Sequence, residues 1–130
     1  MYDHEELVNV ATGVLRRDGK VLICQRGINH RYGLKWEFPG GKAIQGERMT
    51  ECLERELEEQ LDIRPVKAKE LRTIQATYPD GGKFQITFYL ITTWEGEVNN
   101  NVFENIAWVT LDDLSKYDML QGSLPILPFL

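Results

Sequence analysis

At 130 residues, with 42% hydrophobic and 27% charged side chains, the chain has the make-up of one globular domain able to bury a core without staples. Its formal net charge of −5 excludes a general binder of nucleic-acid polymers, which needs a basic stripe against the phosphates. A single nucleotide is not excluded, because a triphosphate arriving with a divalent cation has much of its charge cancelled. No apolar run approaches the roughly 18 residues of a membrane span. Met1 to Glu6 lacks the basic start and apolar stretch of a signal peptide, so the expected location is the cytoplasm. Cys24 and Cys52 stand in no metal-binding spacing and read as buried thiols of a reducing compartment.

No repeat, low-complexity tract or Pro/Gly linker divides the chain, and residues 1–130 are read as a single domain. Val8, Val10, Thr12 and Val14 alternate with smaller or polar residues and predict a strand. Arg17 to Lys20 is a turn, and Val21 to Gln25 returns as the second strand of a hairpin. Ile28 to Trp36 is a polar loop, and Pro39 with Gly40 and Gly41 keeps the next segment out of a helix. A helix is predicted from Met49 to Leu61, where Met49, Leu53, Leu57 and Leu61 form an apolar stripe beside Cys52. After Pro65 come a strand over Leu71 to Ala76, a turn over Pro79 to Gly82, and a strand over Phe84 to Thr93. Asn99 to Asn101 is a loop and Ile106 to Val109 a short strand. Asp112 to Lys116 begins a second helix, with Asp112 as its cap. The mixture predicts an α/β or α+β sandwich.

The chemistry concentrates between Gly40 and Ile63. Paired glycines let the backbone turn tightly and bring a carbonyl close to a ligand. Glu56 and Glu59, three apart, project from the same side of the helix. Carboxylates beside exposed carbonyls suit a hard cation such as Mg2+, which takes oxygen ligands and keeps waters for a phosphate-bearing partner. Lys42 offers a cation to a phosphate, and Arg55, four residues from both Glu51 and Glu59, can steady the acids. An acid-rich helix alone is ordinarily a solvated face. The joint spacing of glycine turn and acids is what points to a metal-dependent phosphate enzyme.

That spacing resembles the signature of the Nudix hydrolases, G-x5-E-x7-R-E-U-x-E-E-x-G-U, with U a bulky aliphatic residue. Gly41, Glu47, Arg55-Glu56-Leu57, Glu59 and Ile63 match it, and Trp36 to Lys42 looks like the segment leading into it in the MutT-type branch. Gln60 stands where the second acid of the pair is expected, and Asp62 where the helix-ending glycine is expected. The resemblance covers nearly the whole chain. It implies a Nudix-type α/β/α sandwich with a mixed β-sheet, and hydrolysis of a phosphoanhydride in a nucleoside diphosphate derivative with Mg2+ or Mn2+. The foremost substrate it implies is a nucleoside triphosphate, deoxy or modified, cut to monophosphate and pyrophosphate. The partner is then a small-molecule nucleotide, and the protein a monomer or homodimer that uses neither membrane nor nucleic-acid polymer.

By the same resemblance, the Gly40 carbonyl, Glu56, Glu59 and Gln60 surround the metal. Glu56 and Glu59 are the catalytic acids, with Glu56 also a candidate general base, while Gly41, Glu47 and Arg55 hold the frame. Gln60 keeps an oxygen but brings no charge, which leaves a second reading open: a domain that binds nucleotide without turning it over. Glu104 is either a further metal ligand or an exposed loop carboxylate. Arg26 either approaches the phosphates or is a strand-end surface residue. Phe38 either stacks on a base or belongs to the core. Met119 to Pro125 resembles the segment that approaches the base, with Ser123 where members that clean oxidised guanine nucleotides carry Asn. A hydroxyl lacks the paired donor and acceptor of an amide, so neither oxidised guanine nor the cytidine preference of another branch follows. Pro79 lies near a proline of ADP-ribose-cleaving members, an alternative substrate class, yet Pro79 to Gly82 forms a good hairpin turn without any substrate.

Overall fold

The alternation beginning at Leu7 produces β1 (Leu7–Arg17), the strand on which the sheet is built. The computed structural model describes residues 7–130, so Met1 to Glu6, read for the lack of a signal peptide, lie outside the described residues. Asp18 and Gly19 turn the chain at positive φ (54° and 74°) into β2 (Lys20–Gln25). Short β3 (Trp36–Glu37) and β4 (Gly40–Lys42) precede α1 (Met49–Leu61), and β5 (Arg64–Thr77), β6 (Lys83–Glu95) and β7 (Asn105–Thr110) follow it. β1 pairs parallel with β6, from Leu7 opposite Lys83 to Leu15 opposite Ile91, and antiparallel with β4. β6 continues antiparallel to β5, while β2 pairs antiparallel with β3, with β7 and with the end of β1. The result is a mixed sheet in an α+β fold.

The period-two alternation of β1 distributes the core. Ala11 and Leu15 point to one face and meet Leu53, Leu57 and Leu61 of α1. Each of these leucines is essentially buried, and burial of a leucine is worth about 1.5–3 kcal/mol. Val14 points to the other face and packs with Val21, Ile23, Phe88, Leu114 and Ile126. Both cysteines are buried and free, and burial pushes the Cys24 thiol up.

The layer opposite α1 is made of 3-10 turns. The predicted second helix is a 3-10 helix over Leu111–Lys116 with Thr110 at the N-cap position and no side-chain cap, so Asp112 lies in its first turn and not at its cap. A second 3-10 helix, Gln121–Phe129, contains Pro125 and Pro128, whose missing N–H groups and rings are incompatible with an α-helical ladder. β5 also begins earlier than predicted, at Arg64, and takes Pro65 into the strand. This is tolerated because β5 is the sheet edge and its pairing is irregular between Pro65 and Lys67. Among the described residues no helix is long and apolar enough to cross a membrane.

Candidate functional site

β4 brings Gly40 and Gly41 against Thr12 and Ala11 of β1. Gly40 has φ 156°, and a Cβ there would lie 2.7 Å from Thr12 Cα and overlap the Ala11 carbonyl. At Gly41 a Cβ would lie 2.6 and 2.7 Å from the carboxylate oxygens of Glu56. The paired glycines therefore serve two different approaches: Gly40 lets the strands close, and Gly41 lets the α1 carboxylate reach the β4 backbone.

Glu56 is fixed from both sides. Arg55 Nη1 donates to its Oε1 (2.8 Å) and Gln60 Nε2 to its Oε2 (2.8 Å). Gln60 Nε2 also donates to the Gly40 carbonyl (2.8 Å), and Gln60 Oε1 accepts from the Gly40 N–H (3.2 Å). Burial raises the Glu56 pKa, against the opposing pull of Arg55. Arg55 reaches further, to Glu47 Oε2 and Oε1 (2.8 and 3.0 Å) and to the Lys42 carbonyl (3.1 Å), so that loop, strand and helix meet on one guanidinium. Glu51 turns to the Arg48 backbone N–H (3.0 Å), closing the helix start where a pairing with Arg55 was expected.

These groups border a cleft of about 420 Å³, within the range of small-molecule sites. Of the predicted residues, Arg26, Phe38, Gly40, Gly41, Lys42, Glu56, Gln60 and Ser123 line it. Glu59 and Glu104 do not. Glu59 is exposed on the helix with Oε2 3.7 Å from Arg55 Nη1, and Glu104 is exposed just before β7, its N–H bonded to the Gln25 carbonyl. Among the described residues no three His, Cys, Asp or Glu side chains gather as a metal cluster. The oxygen donors that do converge are the Gly40 carbonyl and Glu56, both 2.8 Å from one atom, Gln60 Nε2. Hard oxygen donors converging on one point fit a divalent cation in kind.

Phe38 is buried in the core cluster, as one of its two readings expects, and also edges the cleft. Arg26 commits Nη1 to Glu37 Oε2 (2.9 Å) and Nε to the Arg31 carbonyl (2.7 Å). Burial raises the Glu37 pKa, and Arg26 opposes this. Within the Trp36 to Lys42 segment Glu37 carried no expected role, although a lone acid between Trp36 and Phe38 was a visible signal. Also unforeseen were Thr12 and Val10 of β1 and Ile86 and Phe88 of β6, which the parallel register sets side by side on the cleft wall. Tyr78 completes the wall: its hydroxyl accepts from the Gly122 N–H (2.8 Å), tying the residue just past β5 to the segment that carries Ser123. Pro79 takes part in the expected turn, in which the Gly81 N–H bonds the Tyr78 carbonyl (2.9 Å).

The NUDIX domain family matches residues 7–130. An 8-oxo-dGTP diphosphatase from Buchnera aphidicola subsp. Schizaphis graminum is 32% identical over 111 residues, covering 85% of this chain and 82% of that protein. The nucleoside triphosphatase NudI of Escherichia coli O139:H28 is 34% identical over 123 residues, covering 82% of this chain and 84% of that protein. Among solved structures, a MutT NUDIX hydrolase from Burkholderia pseudomallei superposes with a TM-score of 0.88 at 25% identity, covering 95% of this chain and 98% of that one.

Proposed function

This chain belongs to the NUDIX family, and from that premise we propose that it is a Mg2+- or Mn2+-dependent pyrophosphohydrolase of nucleoside triphosphates. The observation that supports this best is the meeting of the Gly40 carbonyl and the Glu56 carboxylate beside a nucleotide-sized cleft. The names of the two relatives, both triphosphate-cleaving, point the same way. In the proposed reaction water adds to a phosphorus of the triphosphate chain and an anhydride P–O bond breaks. The products are the nucleoside monophosphate and pyrophosphate.

Gly40 and Glu56 are the residues that would hold the metal, and the Gln60 amide is bonded to both. A divalent ion supplies charge neutralisation of the phosphates and activation of a water. Arg55 holds Glu56 in position, and Glu56, its pKa raised by burial, is the group proposed to take the proton from water. Lys42 and Arg26 offer cations to the phosphate oxygens. Phe38, Tyr78 and Ser123 form the wall against which a base would lie. Glu59 and Glu104, exposed and outside the lining, are assigned no contact. We place the protein in the cytoplasm, acting as a single domain and as monomer or homodimer.

Gln60 favours a second reading, a domain that holds nucleotide without turnover, because its amide adds no charge to the site. Incubating purified protein and Mg2+ with a panel of nucleoside triphosphates, including oxidised guanine and cytidine nucleotides and ADP-ribose, separates the two. Pyrophosphate release from at least one triphosphate supports the enzyme. Binding with no release from any of them supports the second reading, and phosphate-ester products from ADP-ribose alone would move the substrate class.

A further inference from the structure

The orientation of the Gln60 amide is dictated by its partners. The Gly40 N–H can only donate, so it must face Oε1, while the Gly40 carbonyl and the ionised Glu56 carboxylate can only accept, so both must face Nε2. Turned over, the amide would set its oxygen against two acceptors and its NH2 against an N–H. A nitrogen bearing partly positive hydrogens thus sits at the point on which the two oxygens converge. With Arg55 on Oε1 and Gln60 on Oε2, both oxygens of Glu56 are partnered by the chain's own side chains. Its side chain retains only 15% exposure, and a carboxylate so far withdrawn from water destabilises the fold unless it is partnered.

We propose that Gln60 is an internal stand-in for the cation: its amide closes the metal-free site, and a divalent ion must displace it to bind. The inference rests on the metal site proposed above. A glutamate at this position, as in the family signature, cannot play the part, since without a cation it brings a third oxygen against the other two. The substitution therefore does more than remove a charge. It stabilises the metal-free protein and raises the metal concentration at which the site fills.

Gln60→Glu and Gln60→Met test this, the second having similar length but neither donor nor oxygen. Mn2+ is titrated calorimetrically into each metal-free protein, and each is melted in EDTA. The stand-in predicts that Gln60→Glu binds Mn2+ about 10–100-fold more tightly than the parent. It predicts that Gln60→Met binds at least as tightly as the parent despite losing an oxygen. Both variants melt lower in EDTA, by roughly 3–6 °C. Weaker binding by Gln60→Met would make the amide oxygen an ordinary ligand and overturn the proposal, as would variants that melt with the parent in EDTA. Turnover by the parent with no change on substitution sinks the stand-in alone. Affinity and melting changes as predicted, with no turnover by any of the three proteins, sink the enzymatic reading alone.

Discussion

Arg55 grips Glu47 with two nitrogens, Nε on Oε2 at 2.8 Å and Nη2 on Oε1 at 3.0 Å. This fork leaves Nη1 aimed at Glu56 Oε1. The loop carboxylate thereby sets the attitude of the guanidinium that in turn sets the attitude of the site carboxylate.

Arg55→Lys should keep the charge and lose the work of the fork, since an ammonium is a point donor that cannot serve both carboxylates in plane. The expected result is a fall in kcat of about 10–100-fold with a smaller change in KM. Steady-state kinetics of the purified variant check this; unchanged kcat would show that Glu56 needs no such positioning.

The same fork predicts an acid limit to stability. Hydrogen bonds from Arg55 hold the Glu47 pKa down, to about 2 from an ordinary 4.5. A depressed acid contributes stability above its unfolded pKa and loses it as pH falls through the folded one. The contribution should be complete above about pH 5 and fade between 4.5 and about 2. Glu47→Gln should flatten the melting-temperature profile across that window and lie below the parent at neutral pH. Superimposable profiles would count against the pairing.

The two glycines of the turn should fail differently. Gly40→Ala drives a Cβ into the β1 backbone, where nothing can give, and should destabilise by about 3 kcal/mol or more. Gly41→Ala meets only the far end of the Glu56 side chain, which can swing aside. That variant should melt within a few degrees of the parent yet lose roughly 100-fold in turnover or metal affinity. Thermal unfolding and activity measured on both proteins separate the cases. Equal loss of stability in both would refute the distinction.

Asp62 ends α1 in the left-handed conformation (φ 60°), where glycine is easier. Its carboxylate accepts from Asn99 Nδ2 (3.0 Å) and Asn101 Nδ2 (2.8 Å), and Asn101 also covers the Glu59 and Gln60 carbonyls. Asp62→Gly should relieve the backbone and forfeit the amide contacts, leaving the melting temperature within about 2 °C. Asn101→Ala should lower stability by about 1 kcal/mol, because the Glu59 carbonyl and the Asp62 carboxylate lose a side-chain donor while the backbone N–H stays on the Gln60 carbonyl. A large rise in melting temperature for Asp62→Gly would mean that the asparagine loop contributes nothing.

How far these features could be read from the chain follows from how local they are. The bounds of α1 emerged at Met49 and Leu61 because its stripe, the preceding glycines and Asp62 are contiguous. The start of β5 did not, since most of its side chains are exposed and show no alternation. Whether Leu111–Lys116 is α or 3-10 is a matter of one turn, which periodicity cannot resolve. Within the site, Gly40, Gly41 and Glu56 are specified by one short stretch. Glu59 sits about 60° around the helix from Glu56, enough for one to pass beneath Gly41 and the other to face outward, a difference that spacing alone leaves undecided. Thr12, Tyr78 and Ile86 join the cleft only through the β1–β6 register and the Tyr78–Gly122 bond, long-range facts that no motif carries.

The most direct check of the central claim is Mn2+ binding and triphosphate turnover measured side by side for the parent and for Glu56→Gln, a variant of equal size without the charge. If the Gly40–Glu56 pair holds the ion that drives hydrolysis, the variant loses both together, turnover by at least about 1000-fold. Retention of tight Mn2+ binding and full turnover by Glu56→Gln would place the reaction elsewhere on the molecule.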